Sequence, residues 1–299
     1  MMIAQRSFAG IYDELFNLLH QSPVDIECRG KSMCYELLNV QLKFNPISYG
    51  ISIYSHPLTR AFPIKFAMAE LIWILSGSNT LDFIEKYNKA MRQYSDNGFT
   101  LHGAYGYRLG NQISECIWKI LDDKHTRQAF AAIYDRDDIL SKTKDLPCNT
   151  SLQFMIRGDK LILTVNSRSS DFITGLPIDA FHWQVLLTLV YNELKFAYPS
   201  LMRGYVIYNL ASLHVYSTDK HLIDTYNDVM LKRYSYNMYL HVNETYYSAR
   251  NRSRSFMSET MSTNKDMNPC VVFNMPQESQ EVCETLLQIF KDRKNIISR

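Results

Sequence analysis

No two of the six cysteines in this 299-residue chain are spaced as CxxC, and none has a histidine partner at zinc-finger distance. Cys28, Cys34, Cys116, Cys148, Cys270 and Cys283 therefore argue against a metal site and against a disulfide framework, and they fit a reducing cytoplasm. An excess of one charge is missing too. A formal net charge of +2 gives no basic field for nucleic acid, so any anion has to be gripped by placed arginines. The most apolar stretch, 61–75, is interrupted by Lys65 and Glu70, and no signal-type core follows Arg6. Up to Leu231 there is no linker, repeat or low-complexity tract. With 46% hydrophobic and 13% aromatic residues, what remains is the expectation of a soluble, cytoplasmic, folded enzyme with a sizeable core.

What is present is a succession of helical and extended patterns. Apolar residues at Phe8, Ile11, Leu15 and Leu18 predict an amphipathic opening helix over 7–21, and 34–53 reads as strands around an Asn45-Pro46 turn. A buried helix over 62–75 carries Glu70 in its interior, where an acid is costly unless paired or employed. A polar stretch, 87–100, ends in the turn signature Asp96-Asn97-Gly98. A helix over 113–121, a strand over 128–134 and a charged loop over 135–145 follow. Next come the Cys148 strand, a strand over 160–166, a buried helix over 180–194 and a long strand over 204–216. Ser217-Thr218-Asp219 caps a helix running through Leu231. Residues 1–233 thus read as one mixed α/β catalytic domain, and 234–299 as a divergent polar C-terminal segment. Within that segment, 237–266, with the run Ala249-Arg-Asn-Arg-Ser-Arg-Ser255, reads as a solvated loop, and 278–294 as a terminal amphipathic helix.

Two short stretches concentrate the chemistry. Pro147-Cys148 opens an alternating strand, and Asn166-Ser-Arg168-Ser169-Ser-Asp171 leads through Gly175-Leu-Pro-Ile to Asp179. A guanidinium beside a thiol favours the thiolate, and an arginine with a serine suits a small anion. Taken alone, the pattern leaves Cys148 open between buried thiol and nucleophile, His214 between strand packing and function, and Tyr105 between core and site.

Several ordered motifs narrow this. Phe62-Pro63, Ala69-Glu70-Leu-Ile-Trp-Ile-Leu-Ser-Gly77-Ser-Asn79, Gly103-Ala-Tyr105-Gly106-Tyr-Arg108, Thr126-Arg127-Gln128, Pro147-Cys148, Arg168-Ser169-Ser-Asp171, Gly175-Leu-Pro and Ser212-Leu-His214-Val-Tyr216 together resemble the thymidylate synthase superfamily. The resemblance spans roughly residues 29–231. It implies an α/β (α+β) single domain whose mixed sheet, flanked by helices, packs back to back in a homodimer. It also implies 5,10-methylenetetrahydrofolate as co-substrate, with no metal. Cys148 would add to carbon 6 of a pyrimidine, making carbon 5 nucleophilic, while Glu70 moves protons through ordered water. Arg29, Arg168 and Ser169 would hold the phosphate, with Arg127 reaching over from the neighbouring subunit. His214 and Tyr216 would bind the sugar 3′-hydroxyl, Tyr105 would line the substrate, and Asp171 and Gly175 would meet the folate.

The departures from that pattern are informative. Asp179 stands where synthases carry asparagine, and a carboxylate accepts from the amino group of cytosine but faces lone pair against lone pair at uracil O4. With Trp183-Gln184, Asp179 resembles phage deoxycytidylate hydroxymethylases. The synthase tryptophan is absent from 87–94, and the closing C-terminal segment is unrecognisable. Dry closure favours hydride quenching of an exocyclic methylene, and a looser pocket admits water. The synthase histidine after the cysteine is Asn149, and the usual arginine pair is Arg127-Gln128. The expectation is a deoxycytidylate 5-hydroxymethyltransferase suited to a virus that modifies its DNA precursors. A deoxyuridylate hydroxymethylase or thymidylate synthase is the close rival, and ribocytidylate a lesser substrate option. A catalytically silent nucleotide- or RNA-binding homologue is the rival of another class. Joint retention of Cys148, Glu70, Arg168 and Asp171 argues against the silent form.

Overall fold

Strand alternation builds the centre of the molecule, seen in a computed structural model that describes residues 2–5, 8–21, 25–27, 33–45, 51–55, 62–222, 236–240, 242–263 and 267–273. β1 (Met2–Gln5), β2 (Asp25–Glu27), β3 (Met33–Phe44), β5 (Phe130–Ala132), β6 (Asn149–Arg157), β7 (Lys160–Ser167), β8 (Ser170–Asp171) and β9 (Met202–Tyr216) form one mixed sheet. Its order is β1-β3-β9-β7-β6-β5, with β2 beside β3 and β8 beside β9. β4 (Ile51–Ser55) pairs antiparallel with β10 (Tyr236–Leu240) in a separate ribbon.

The two faces of the sheet differ. Leu42, Tyr208, Val165 and Leu152 lie in register across four strands and are fully buried. α1 (Phe8–His20), α2 (Ile64–Ser76) and α6 (Gly175–Leu194) join that core. α6 is apolar around most of its circumference, as a helix enclosed on several sides must be. On the opposite face, the neighbouring set carries amides. Gln41 Nε2 donates to Asn209 Oδ1 at 2.8 Å, Asn209 Nδ2 to Asn166 Oδ1 at 2.9 Å, and Asn166 Nδ2 to Ser151 Oγ at 3.0 Å. Period-two alternation thus separates an apolar face from a half-buried polar ladder.

α3 (Leu81–Ile84), α4 (Tyr105–Leu109) and α5 (Gln112–Asp122) bridge from α2 to β5. The charged stretch 135–145 is not all loop. Residues 136–140 form a 3-10 turn closed by a reciprocal Asp135 and Asp138 capping box. Asp138 is 2% exposed and receives Arg108 Nη1 at 2.6 Å and Nη2 at 2.8 Å, while Arg108 Nε donates to His102 O at 2.7 Å. This fork ties α4 to the turn.

The expectation of a solvated loop over 237–266 is corrected, because its described residues include the end of β10 and a long helix, α7 (Tyr246–Thr263). Its buried stripe is Tyr246, Ala249, Arg250, Ser253, Phe256 and Thr260, packed toward α2 and α6. Small and polar side chains fill helical spacing there, so hydrophobic periodicity gave little signal. Cys34 is disulfide-bonded, a correction to the reading of isolated thiols. α6 starts five residues before the expected 180, and β5 is a shorter strand than 128–134. Arg29, the region 278–294 and the expected helix beyond 222 lie outside the described residues. Among the described residues, no helix is long and apolar enough to cross a membrane.

Burial pushes the Asp138 carboxyl up, but bonds from Arg108, the Asp135 N–H and His102 outweigh it and hold the pKa at about 2, below the usual 3.8. A depressed acid contributes stability above its unfolded pKa and loses it as pH falls through the folded one. Arg108→Ala should therefore cost about 3 kcal/mol at pH 7, since it strands a buried carboxylate. Urea unfolding of parent and variant should show that gap narrowing as pH drops from 4 toward 2.

Candidate active site

A β-bulge sets the position of Cys148. Asn149 pairs with Ser167, yet Ser151 pairs with Asn166, so Thr150 is an extra residue in β6. The Cys148 carbonyl accepts from Arg168 N at 2.9 Å and from Ser167 Oγ at 3.1 Å. The Arg168 guanidinium donates Nε to Pro147 O and Nη2 to Leu146 O, each at 3.0 Å. Part of the expected anion grip is therefore spent on holding the backbone in front of the thiol. Cys148 itself is reduced and half-buried.

Two acids from two helices meet near it. Glu70 projects from α2 with about a fifth of its side-chain surface still open, and Asp179 projects from the first turns of α6. Burial, and then the charges of Asp179 and Asp145, push the Glu70 carboxyl up to about 8. Burial raises Asp179 to about 6, against hydrogen bonds from Asn149 and Tyr208 that hold it down. His182 Nε2 lies 3.9 Å from Glu70 Oε2 and bonds the Ala67 carbonyl at 2.9 Å. Burial pushes its pKa down to about 4, so it stays neutral beside Glu70 near pH 7.

Asn149 Nδ2 donates to Asp179 Oδ2 at 2.9 Å. The Tyr208 hydroxyl lies 2.6 Å from Asn149 Oδ1 and 3.1 Å from Asp179 Oδ2. Tyr105 completes this corner, with its oxygen 3.5 Å from Asn149 N and its ring 5.9 Å from Trp183. Burial, and then the charges of Asp179 and Cys148, push its phenol well above the ordinary value. Glycines make the approach possible. A Cβ on Gly106 would sit 2.1 Å from Ile74 O, and one on Gly103 would sit 2.6 Å from Asp145 O. Gly103 N also donates to Asp145 Oδ2 at 2.7 Å. The Gly103-Ala-Tyr105-Gly106 spelling thus presses α4 onto α2 and onto the segment before Cys148.

A second group gathers along β8 and β9. Asp171 pairs in register with His214, and the His214 ring packs edge-on to Tyr216 at 5.1 Å. Burial lowers the His214 pKa, while Asp171 and Glu36 pull it up. The Asp171 carboxylate accepts from Ile173 N at 2.9 Å and from the Thr174 hydroxyl, so it organises the entry to α6. A folate contact there would share an acceptor already in use. Gly175 is not demanded by the backbone, because an added Cβ would meet only Asp171 Cβ at 3.9 Å. Ser169 is half-buried, and its carbonyl accepts Ser167 Oγ at 2.9 Å.

Arg127 is exposed, with its carbonyl bound by Gln153 Nε2 at 2.9 Å, and none of its hydrogen bonds reaches the Cys148 group. The structure therefore brings together Cys148, Glu70, Asp179, Tyr105 and Arg168, and separately Asp171, Gly175, His214 and Tyr216. Sequence reasoning passed over Tyr208 and His182, and took Asn149 only as a departure. The signal for Tyr208 was its place in phase with Val206 and Leu210, where a phenol on a buried face needs a partner.

The family model described as "Thymidylate synthase" matches residues 11–273. A deoxyuridylate hydroxymethyltransferase of Bacillus phage SP01 is 39% identical over 146 residues, covering 41% of this chain and 38% of that protein. One from Delftia phage PhiW-14 is 32% identical over 178 residues, covering 54% of this chain and 48% of that protein. The chain thus spans less than half the length of these phage relatives. The fold is similar to thymidylate synthase from T4 phage, with TM-score 0.63, 20% identity, and 89% and 94% of the two chains covered. Thermostable thymidylate synthase A from Bacillus subtilis gives TM-score 0.63 at 19% identity, covering 80% of this chain and 90% of that one.

A carboxyl raised from 4.5 to about 8 binds its proton more tightly in the folded state. Its ionisation therefore costs stability as pH climbs between those values. Glu70→Gln should be more stable than the parent at pH 8 and little different at pH 4.5. The gap should grow by at most about 1.4 kcal/mol per pH unit, which thermal unfolding across that range would read.

Proposed function

We propose, from the premise that this chain belongs to the thymidylate synthase family, that it transfers a one-carbon unit to carbon 5 of deoxycytidylate and hydrates it to the 5-hydroxymethyl nucleotide. The family uses 5,10-methylenetetrahydrofolate as co-substrate, which supplies that carbon. The observation carrying the proposal is the meeting of a half-buried thiol with two acids of raised and unequal pKa. Among the described residues, no group of His, Cys, Asp or Glu is arranged to hold a metal.

In this scheme a Cys148 Sγ to carbon 6 bond forms and carbon 5 becomes nucleophilic. After carbon 5 takes up the one-carbon unit, its proton leaves to water held by Glu70. A carboxyl with a pKa near 8 exchanges protons readily near neutrality. Loss of tetrahydrofolate leaves an exocyclic methylene, water adds to it, and the Sγ bond breaks to release the product. Asp179 reads the base, accepting from the cytosine amino group when ionised. Arg168 and Ser169 face the phosphate, joined by Arg29 and by Arg127 of a second copy. That copy packs against the amide-bearing face of the sheet. Deoxyuridylate is the second reading, favoured by the names of the SP01 and PhiW-14 relatives, which also support hydration over hydride transfer.

Tritium release from carbon 5-labelled deoxycytidylate and deoxyuridylate, with and without methylenetetrahydrofolate, tests the reaction, and mass spectrometry of the product separates hydroxymethyl from methyl. Cys148→Ser should abolish release while nucleotide binding persists, and unchanged turnover would remove the nucleophile. Asp179→Asn should move the ratio of kcat/KM values toward deoxyuridylate by about tenfold or more. An unchanged ratio would show that Asp179 does not read the base.

A further inference from the structure

Resting on the base-reading role proposed for Asp179, we infer that Asn149 and Tyr208 are positioning residues for base choice: they fix Oδ2 as an acceptor and leave Oδ1 as the one atom facing the pyrimidine edge. Both contacts of Asp179 fall on the same oxygen, from Asn149 Nδ2 at 2.9 Å and the Tyr208 hydroxyl at 3.1 Å. Asn149 and Tyr208 are themselves fully buried, whereas Asp179 is only half-buried. None of the described residues hydrogen-bonds Oδ1.

The Tyr208 hydroxyl has two acceptors within reach. Tyr208 stands closer to Asn149 Oδ1, at 2.6 Å, than to Asp179 Oδ2. Its single proton is shared between these two acceptors, while Asn149 Nδ2 commits an N–H to Oδ2 whichever of them it takes. An oxygen already accepting is a poor place for a proton, so when Asp179 takes one it takes it on Oδ1. Ionised, Oδ1 accepts from an amino group. Protonated, it donates to a ring nitrogen or a carbonyl. The balance is set by the groups that interact with Asp179, which are Glu70 from α2, Tyr105 from α4, Asn149 at the start of β6 and Tyr208 from β9, with Cys148 acting on the same two phenols.

Two variants of the full chain test this, Tyr208→Phe, which keeps the ring, and Asn149→Ser, which removes the amide from the other side. With methylenetetrahydrofolate present, either should move the deoxycytidylate to deoxyuridylate ratio of kcat/KM toward one, by about tenfold. Because both groups hold the Asp179 pKa down, the acid limb of the pH profile should shift upward, which a merely structural role would not do. In an Asp179→Asn background, Tyr208→Phe should change the ratio no further. An unmoved ratio and limb in whichever variant folds, or an undiminished effect in that background, would overturn the inference. If Asp179→Asn alone leaves the ratio unchanged, the base-reading role fails. If it moves the ratio and the two variants do not, only the positioning role fails.

Discussion

The extra residue at Thr150 is the constraint from which the site follows. A regular β6 would carry its alternation through Ser151 into Asn149 and Cys148 without a break and place their side chains on other faces. The insertion resets the phase, so that Asn149 turns into the buried side while Ser151 stays on the amide ladder. The Thr150 carbonyl accepts from both Ile133 N at 2.9 Å and Tyr134 N at 3.0 Å, and Thr150 Oγ1 donates to Asn166 O at 3.0 Å. A bulge anchored this way is a rigid support, and a nucleophile gains most from support that does not move.

The second consequence is electrostatic. Glu70 and Asp179 are brought within each other's field in a space where burial already disfavours charge, and their pKa values separate to about 8 and about 6. Near pH 7 the first keeps its proton and the second has largely lost it, so the pair consists of one donor and one acceptor. Two like acids become chemically different through their surroundings. Asn149 and Tyr208 stabilise the charged form of Asp179 alone, and His182, kept neutral by burial, adds no charge to relieve Glu70. Arg168 gives neither acid a hydrogen bond, and two of its N–H groups go to the carbonyls of Leu146 and Pro147.

Most of the scaffold was legible in the sequence, because the strands over 149–157, 160–167 and 202–216 and the helices over 64–76 and 112–122 carry strong periodic patterns. The reaction centre was legible for another reason: Cys148, Glu70 and Asp179 lie in motifs that resemble one family. Partners that act across the fold were not legible. Tyr208 and Asn149 are 59 residues apart, and nothing local in either segment says that one needs the other. Arg108 was a motif residue without a role until Asp138 appeared beneath it. Nor can sequence show that Arg168, read as an anion clamp, also holds the backbone carbonyls of Leu146 and Pro147.

α7 bears on the class of the protein as much as on its packing. Its serine-arginine run would be the natural arm for RNA if those guanidinium groups were free to meet phosphates. Arg250 is buried, with Nη2 on Gly110 O and Asn111 Oδ1, each at 2.9 Å. Arg252 pairs with Glu244 at 3.2 Å, and Arg254 Nε reaches Ser76 O at 3.3 Å, at the end of the helix that carries Glu70. Each arginine of the run thus has a partner within the chain, and withdrawing Arg250 would strand acceptors at the start of α5. The run therefore fastens a helix against α2 and α5, which turns a segment suggestive of nucleic-acid binding into part of the support for the helix that carries Glu70.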